Sequence, residues 1–233
     1  MDNSNHNEVV LKFNQVAHEY DNQRRNLIPC FDDFYDVSVS IAETGNETPS
    51  ILELGAGTGL LSALMLKKFP TANLTLIDIS DKMMEVANSR FVGMNNVKYI
   101  VNDYTNYVFE NKFDIVISAL SIHHLTDAEK KVLYKNTFQN LREGGVFINA
   151  DQILGNTMFL DSFYKNNWKS KVESTELPTK EIASAYERTK LDKMSTLEAQ
   201  IGWLKEIGFS DVDCMYKYFN FVVIYGRKLK GFN

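Results

Sequence analysis

"ILELGAGTGLLSALMLKKF", residues 51–69, passes from an apolar run through three glycines at alternate positions into a stretch with helical periodicity. Gly55, Gly57 and Gly59 permit turn conformations closed to larger residues and leave no side chain between the backbone and a ligand. The free amides at the N-terminus of the helix that follows suit an anionic group. A tight strand-to-helix turn with no ligand has the same local pattern, so the surrounding sequence has to decide.

Working outward, strands are expected at 50–54, 73–78, 97–101, 113–118 and 145–150. Helices are expected at 58–69, 81–92 and 127–141, the last stopped by Gly144-Gly145. This alternation predicts right-handed crossovers and an α/β, doubly wound, mostly parallel sheet. Upstream, Val9 to Tyr20 and Leu27 to Ala42 read as two helices joined by the polar "DNQRR". From Gly155 to Lys193 the sequence becomes aromatic, charged and helical, as an insertion over the sheet's end would be. A helix at 195–207, Gly208 as its C-cap, and the strands "DVDCMYKY" and "FNFVVIYGRK" complete the chain. The expectation is one domain over 1–233, with a helical lid (1–48), a core (50–151), the insertion (155–193) and a C-terminal helix and strand pair (195–228).

At 233 residues and 44% hydrophobic content the chain can fill one sizeable core. Its 25 basic and 30 acidic residues leave a net charge of -5, and the compact basic cluster is confined to "GRKLKG" at 226–231. That balance argues against a nucleic-acid partner. Cys30 and Cys214 form no CxxC pattern, so neither a disulfide framework nor a zinc site is suggested. No apolar run approaches the ~20 residues of a membrane span, and "MDNSNHNEVV" lacks the zones of a signal peptide. The expectation is a cytoplasmic protein, monomer or homodimer, with a small-molecule partner, no nucleic acid and no membrane.

Three further features raise the weight of the glycine turn. Asp78 ends the second strand, 19 residues after Gly59, where an acid can accept two ribose hydroxyls. Asp103 follows the third strand, and doubly wound topology brings such strand ends to one crevice. The fourth strand, "FDIVISALSIHHL", runs into His123 and His124. The dinucleotide fingerprint GxGxxG fails at Leu60; the spacing here is GxGxG, preceded by Glu53.

"ELGAGTG", "LIDIS", "NDY" and "DIVISALSIHHL", in this order, resemble the class I S-adenosylmethionine-dependent methyltransferases over roughly residues 10–226. The resemblance implies a Rossmann-like seven-stranded sheet with an antiparallel last strand, and S-adenosyl-L-methionine as cofactor. It sets Gly55, Ala56 and Gly57 against the cofactor's amino-acid moiety, Asp78 on the ribose, Asp103 near the adenine amino group, and Ile79 and Tyr104 flanking the base. Glu53 would order the loop, and Ala119 and Leu120 would offer backbone near the methionyl part. Asp78 could instead cap a helix, a role that Ser80 already fits.

A methyl sulfonium is already activated, so such an enzyme mainly aligns reactants and excludes water, and no metal is required. A hydroxyl, phenol or protonated amine acceptor also needs a base, for which His124 and His123 lie at the correct strand end. They could equally pack between the strand and "LTDAEKK". "FNQVAHEYDNQRRNLIPCFDDFY" looks like a lid whose Tyr20, Arg24 and Arg25 could meet a carboxylate of cofactor or substrate, or it is a solvated surface run. Phe163, Tyr164, Trp168, Tyr186 and Arg188 of the insertion are substrate candidates, or core and dimer contacts. The stretch from Leu177 to Lys228 is similar to the C-terminal part of carboxy-S-adenosylmethionine synthases, whose matching arginine, Arg188 here, meets the added carboxylate. That family's asparagine after the fourth strand falls at Ala119. Three functions stay open: small-molecule methyltransferase, carboxylated-cofactor synthase, and non-catalytic cofactor binder.

Overall fold

The stretches at 51–54 and 113–117 are apolar but for Glu53 and Asp114, with no regular polar alternation, because both faces of these strands are covered. In the computed structural model, which describes residues 11–14, 17 and 20–229, they are the two middle strands of a seven-stranded sheet. The strands are β1 (Ser50–Leu54), β2 (Asn73–Asp78), β3 (Val97–Val101), β4 (Phe113–Ala119), β5 (Leu141–Gln152), β6 (Ser210–Tyr218) and β7 (Phe221–Arg227), in the order β3-β2-β1-β4-β5-β7-β6. β1 to β5 run parallel, and β7 is antiparallel to both β5 and β6. The chain builds outward from β1 to β3, then returns to place β4 on the other side of β1. That reversal opens a crevice beyond the carboxyl ends of β1 and β4.

The helices are α1 (Tyr20–Leu27), α2 (Phe31–Ser40), α3 (Leu60–Lys68), α4 (Asp81–Arg90), α5 (Asp127–Asn140), α6 (Met158–Glu173), α7 (Thr179–Thr189) and α8 (Leu197–Ile207). One core layer centres on Phe34, Met65 and Ile117, the other on Tyr134, Phe147 and Leu204. Tyr134 is fully buried, and its hydroxyl donates to Gln200 at 2.6 Å, so no polar group is stranded there. α5 opens with a capping box between Thr126 and Glu129, and α8 ends at Gly208 with φ +113°.

Two local expectations are corrected. "DNQRR" is not a join but the body of α1; the break falls at Ile28–Cys30, where Pro29 disfavours helical backbone at the residue before it. Of the helix expected over Val9 to Tyr20, residues 11–14 are helical, Ala17 is in a turn and Tyr20 opens α1; the rest lies outside the described residues. Gly144-Gly145 does not stop a helix either. α5 ends at Asn140 and passes directly into β5, and Gly144 (φ +80°) sits where the register with β4 shifts between Phe113 and Ile115.

Candidate active site

A cavity occupies the crevice, lined by the ends of β1, β2 and β4 and the loops that follow them. Its floor is the glycine loop between β1 and α3. Gly55 has φ +65°, and a Cβ there would fall 1.8 Å from Ser121 Oγ. Gly57 (φ +53°) faces open space, with nothing within 4 Å of where its Cβ would be. This is bare backbone turned toward the cavity. The Gly57 amide donates to Asp78 Oδ2 at 2.8 Å, and the Ser80 amide to Asp78 Oδ1 at 2.8 Å. Ser80 caps α4 by accepting from the Met83 amide at 3.1 Å, so Asp78 is left to the crevice. Burial raises the Asp78 pKa against the amides of Ser80, Gly57 and Ile79, which favour its charged form. Each of its oxygens retains capacity for a second hydrogen bond.

Glu53 is buried beneath the loop, where it accepts from the amide of Ser62 at 3.1 Å and from the Ser62 hydroxyl. Burial pushes its pKa up to about 8. At the far end of the cavity Asp103 folds its own turn, accepting from the Thr105 amide (2.8 Å) and hydroxyl (2.6 Å). Tyr104, also on the wall, bonds its hydroxyl to Ser121 Oγ at 2.9 Å. Ala56, Ile79 and Ala119 complete the lining with Leu120, a non-glycine residue at φ +51°. Such backbone is uncommon for a branched side chain, and the Leu120 amide is tied to the Ala150 carbonyl at 2.8 Å.

The two histidines have different surroundings. His123 is buried, with Nδ1 2.5 Å from Asp151 Oδ1, its amide donating to Asp151 Oδ2 at 3.0 Å, and Nε2 3.5 Å from Asp192 Oδ1. Burial alone would lower its pKa, but Asp151 and Asp192 outweigh that and raise it. His124 borders both the crevice and a second cavity. Its Nδ1 is 3.3 Å from Asp192 Oδ1, and its Nε2 has no hydrogen-bond partner among the described residues. Burial, with His123 beside it, lowers the His124 pKa despite Asp192.

The second cavity, about 560 Å³, lies under α1 and α7 and shares Tyr20, Arg24, Leu120 and His124 with the first. Trp168 and Arg188 line it. Trp168 donates from Nε1 to the Leu27 carbonyl at 2.8 Å, joining the insertion to the lid. Arg25 and Tyr164 line neither cavity, contrary to expectation. Consecutive helical residues point roughly 100° apart, so with Arg24 inward Arg25 is exposed, where it pairs with Asp32 at 2.8 Å. Tyr164 packs edge-on against Phe219. Phe163 is exposed beside Phe159, and Tyr186 packs behind Trp168 and donates to Glu173 at 2.9 Å.

Sequence reasoning missed Ser121, Asp151, Asp192 and Asp21. Asp21 ties α1 to the glycine loop and to α4: it accepts from Thr58 at 2.6 Å and pairs with Arg90. Asp151 is the one with a visible signal, an acid at the end of the fifth strand beside the fourth-strand histidines.

A family model described as a methyltransferase domain matches residues 51–145. A malonyl-[acyl-carrier protein] O-methyltransferase 1 of Ilyobacter polytropus is 29% identical over 68% of this chain and 63% of its own length. A carboxy-S-adenosyl-L-methionine synthase of Helicobacter hepaticus is 24% identical over 92% of both chains. The solved DhpI–SAH complex superposes with a TM-score of 0.64 at 18% identity, covering 95% of this chain and 96% of that one. By these matches the chain is similar to methyltransferases that use S-adenosylmethionine, with the likeness to a methyltransferase domain falling at residues 51–145 within the seven-stranded sheet. The chain spans less than two thirds of the Ilyobacter protein it matches. Among the described residues no helix is long and apolar enough to cross a membrane.

Proposed function

We propose that the chain transfers a methyl group from S-adenosylmethionine to a small-molecule acceptor. The observation that supports it most is the position of His124, on the boundary between a glycine-floored crevice and a second cavity. The bound cofactor supplies an electrophilic methyl whose leaving group is a neutral thioether. The chain's residues do the rest. Bare backbone at Gly55–Gly57 and the Asp78 carboxylate hold and orient that donor, and Tyr20, Arg24 and Phe13 close over it and exclude water. His124 Nε2, without a hydrogen-bond partner among the described residues, takes the acceptor's proton as the new bond to carbon forms. Asp151 holds His123, and Asp192 stands beside both imidazoles. Incubation with methyl-labelled S-adenosylmethionine and a metabolite extract should label a small molecule; failure to bind S-adenosylhomocysteine would end this reading. Binding without any turnover would instead mark a non-catalytic cofactor protein.

A second reading is a carboxylated-cofactor synthase, favoured by the nearly end-to-end Helicobacter match and by Arg188 inside the second cavity. Mass spectrometry of the cofactor retained on purification separates the two. The excess of acidic over basic residues favours a reaction on free small molecules over one on nucleic acid.

A further inference from the structure

Two guanidinium groups face the second cavity, from Arg24 on α1 and Arg188 on α7, and neither enters an ion pair among the described residues. Arg24 lies 4.0 Å over the Tyr20 ring and donates to the Tyr20 hydroxyl, while its buried Nε has no partner. Arg188 donates to Ser184 Oγ at 3.1 Å and to Gln23 Oε1 at 3.5 Å, both neutral. Burial lowers the Arg188 pKa, and Arg24 adds repulsion. Asp192 is the acid on the cavity wall, and it lies within 3.5 Å of both histidines. The chain's four other arginines are different. Arg25, Arg90, Arg142 and Arg227 all pair with carboxylates.

Half-buried like charges with neutral partners, as Arg24 and Arg188 are, favour a counter-charge that joins them. Guanidinium forks match planar or tetrahedral oxyanions with paired hydrogen bonds. We infer that the second cavity is the acceptor site and takes a small molecule bearing a carboxylate or phosphate group, which seats between Arg24 and Arg188. An anion held there sets the rest of the acceptor toward His124 and the mouth of the cofactor crevice, so the two arginines select the substrate by charge. This rests on the methyltransferase reading above and names the acceptor class for it.

The test uses Trp168, which lines this cavity, as reporter; Trp203→Phe removes the other tryptophan's signal. Inorganic phosphate is titrated by fluorescence into the full chain saturated with S-adenosylhomocysteine, whose own binding is measured first by calorimetry. Saturable quenching or enhancement is expected. It should weaken at least tenfold in Arg188→Met and in Arg24→Met, which keep the apolar stems. Arg188→Lys, keeping charge but not the fork, should fall between. S-adenosylhomocysteine affinity should stay within about twofold in Arg188→Met. Absence of a phosphate response in a protein that binds S-adenosylhomocysteine overturns this inference while leaving the methyltransferase reading intact; absence of cofactor binding overturns the latter. A response equal in wild type and both methionine variants also overturns it. A parallel arm measures affinity for carboxylated S-adenosylmethionine. If Arg188→Met weakens that ligand at least tenfold and leaves phosphate unchanged, the anion belongs to the cofactor and the acceptor proposal fails. Label transfer gives a last arm: the methylated product should partition with the anionic fraction of the extract, and a product found in the neutral or cationic fraction would refute the selection by charge.

Discussion

The Gly57 amide donates to Asp78 Oδ2 at 2.8 Å, which ties the glycine loop after β1 to the end of β2. One carboxylate therefore shapes the loop and also faces the crevice. Asp78→Asn keeps the size but sets an NH2 group against one of two backbone donors, Gly57 or Ser80. Affinity for S-adenosylhomocysteine should fall by about 1.5–3 kcal/mol, the range for a lost hydrogen bond to a charged group. Calorimetric titration checks it, and an unchanged affinity would remove Asp78 from the site.

Gly55 and Gly57 should separate fold from binding. A methyl at Gly55 lands 2.4 Å from Ser121 Cβ and 3.3 Å from the Tyr104 ring, so Gly55→Ala must displace the turn after β4 and should destabilise the whole domain. At Gly57 the same methyl meets no protein atom within 4 Å, leaving only the left-handed backbone, worth about 1–2 kcal/mol. Gly57→Ala should stay folded yet bind S-adenosylhomocysteine much more weakly, and Gly57→Val more weakly still. Thermal melts beside calorimetry decide. Equal binding by Gly57→Val and wild type would show that the open space is not where the ligand lies.

The parts legible in sequence were those with local signals. Mainly apolar strands alternating with capped helices marked the sheet, because burial on both faces leaves β1 and β4 few polar residues, among them Glu53 and Asp114. The glycine spacing and Asp78 marked the crevice because both sit at strand ends that the topology must bring together. What stayed illegible depends on contacts distant in sequence. Asp192 meets the histidines across a separation of about 70 residues, and Asp21 reaches Thr58 from another segment. Arg24 and Arg25 look equivalent in a polar run treated as a loop; only their place in α1 sends one inward and the other out.

The Asp151–His123 pair should leave a signature in stability against pH. The folded pKa of His123 is raised, so its contribution is fully present below the unfolded value near 6.5 and is lost as pH rises through the folded value. Asp151 is lowered, against the effect of burial, chiefly by His123; its contribution is present above its unfolded value and is lost as pH falls through the folded value. Asp192, His124 and Lys130 also face the pair, and they remain in the variants. Stability should therefore peak between the two folded pKa values. His123→Asn should lower that peak and flatten its alkaline side, as followed by urea unfolding across pH. A profile parallel to wild type would show that the pair is not charged.

His124 supplies the sharpest kinetic test of the proposed reaction. Its Nε2, on the boundary of two cavities, has no hydrogen-bond partner among the described residues, and burial followed by the charge of His123 lowers its pKa below the ordinary 6.5, with Asp192 and Asp151 opposing. A base acts in its neutral form, so kcat for the labelled acceptor should rise with pH through that lowered value and be level at neutral pH. His124→Ala should cost roughly 10²–10⁴ in kcat, the usual contribution of a positioned base. S-adenosylhomocysteine affinity should change little, since His124 lies at the crevice boundary and the Gly57–Asp78 contact stays intact. The residual rate should lose the acid limb and rise only as the acceptor itself ionises. If His124→Ala retains wild-type kcat and the same acid limb, the acceptor needs no proton removed by this residue, and an already anionic nucleophile, such as a carboxylate, receives the methyl directly.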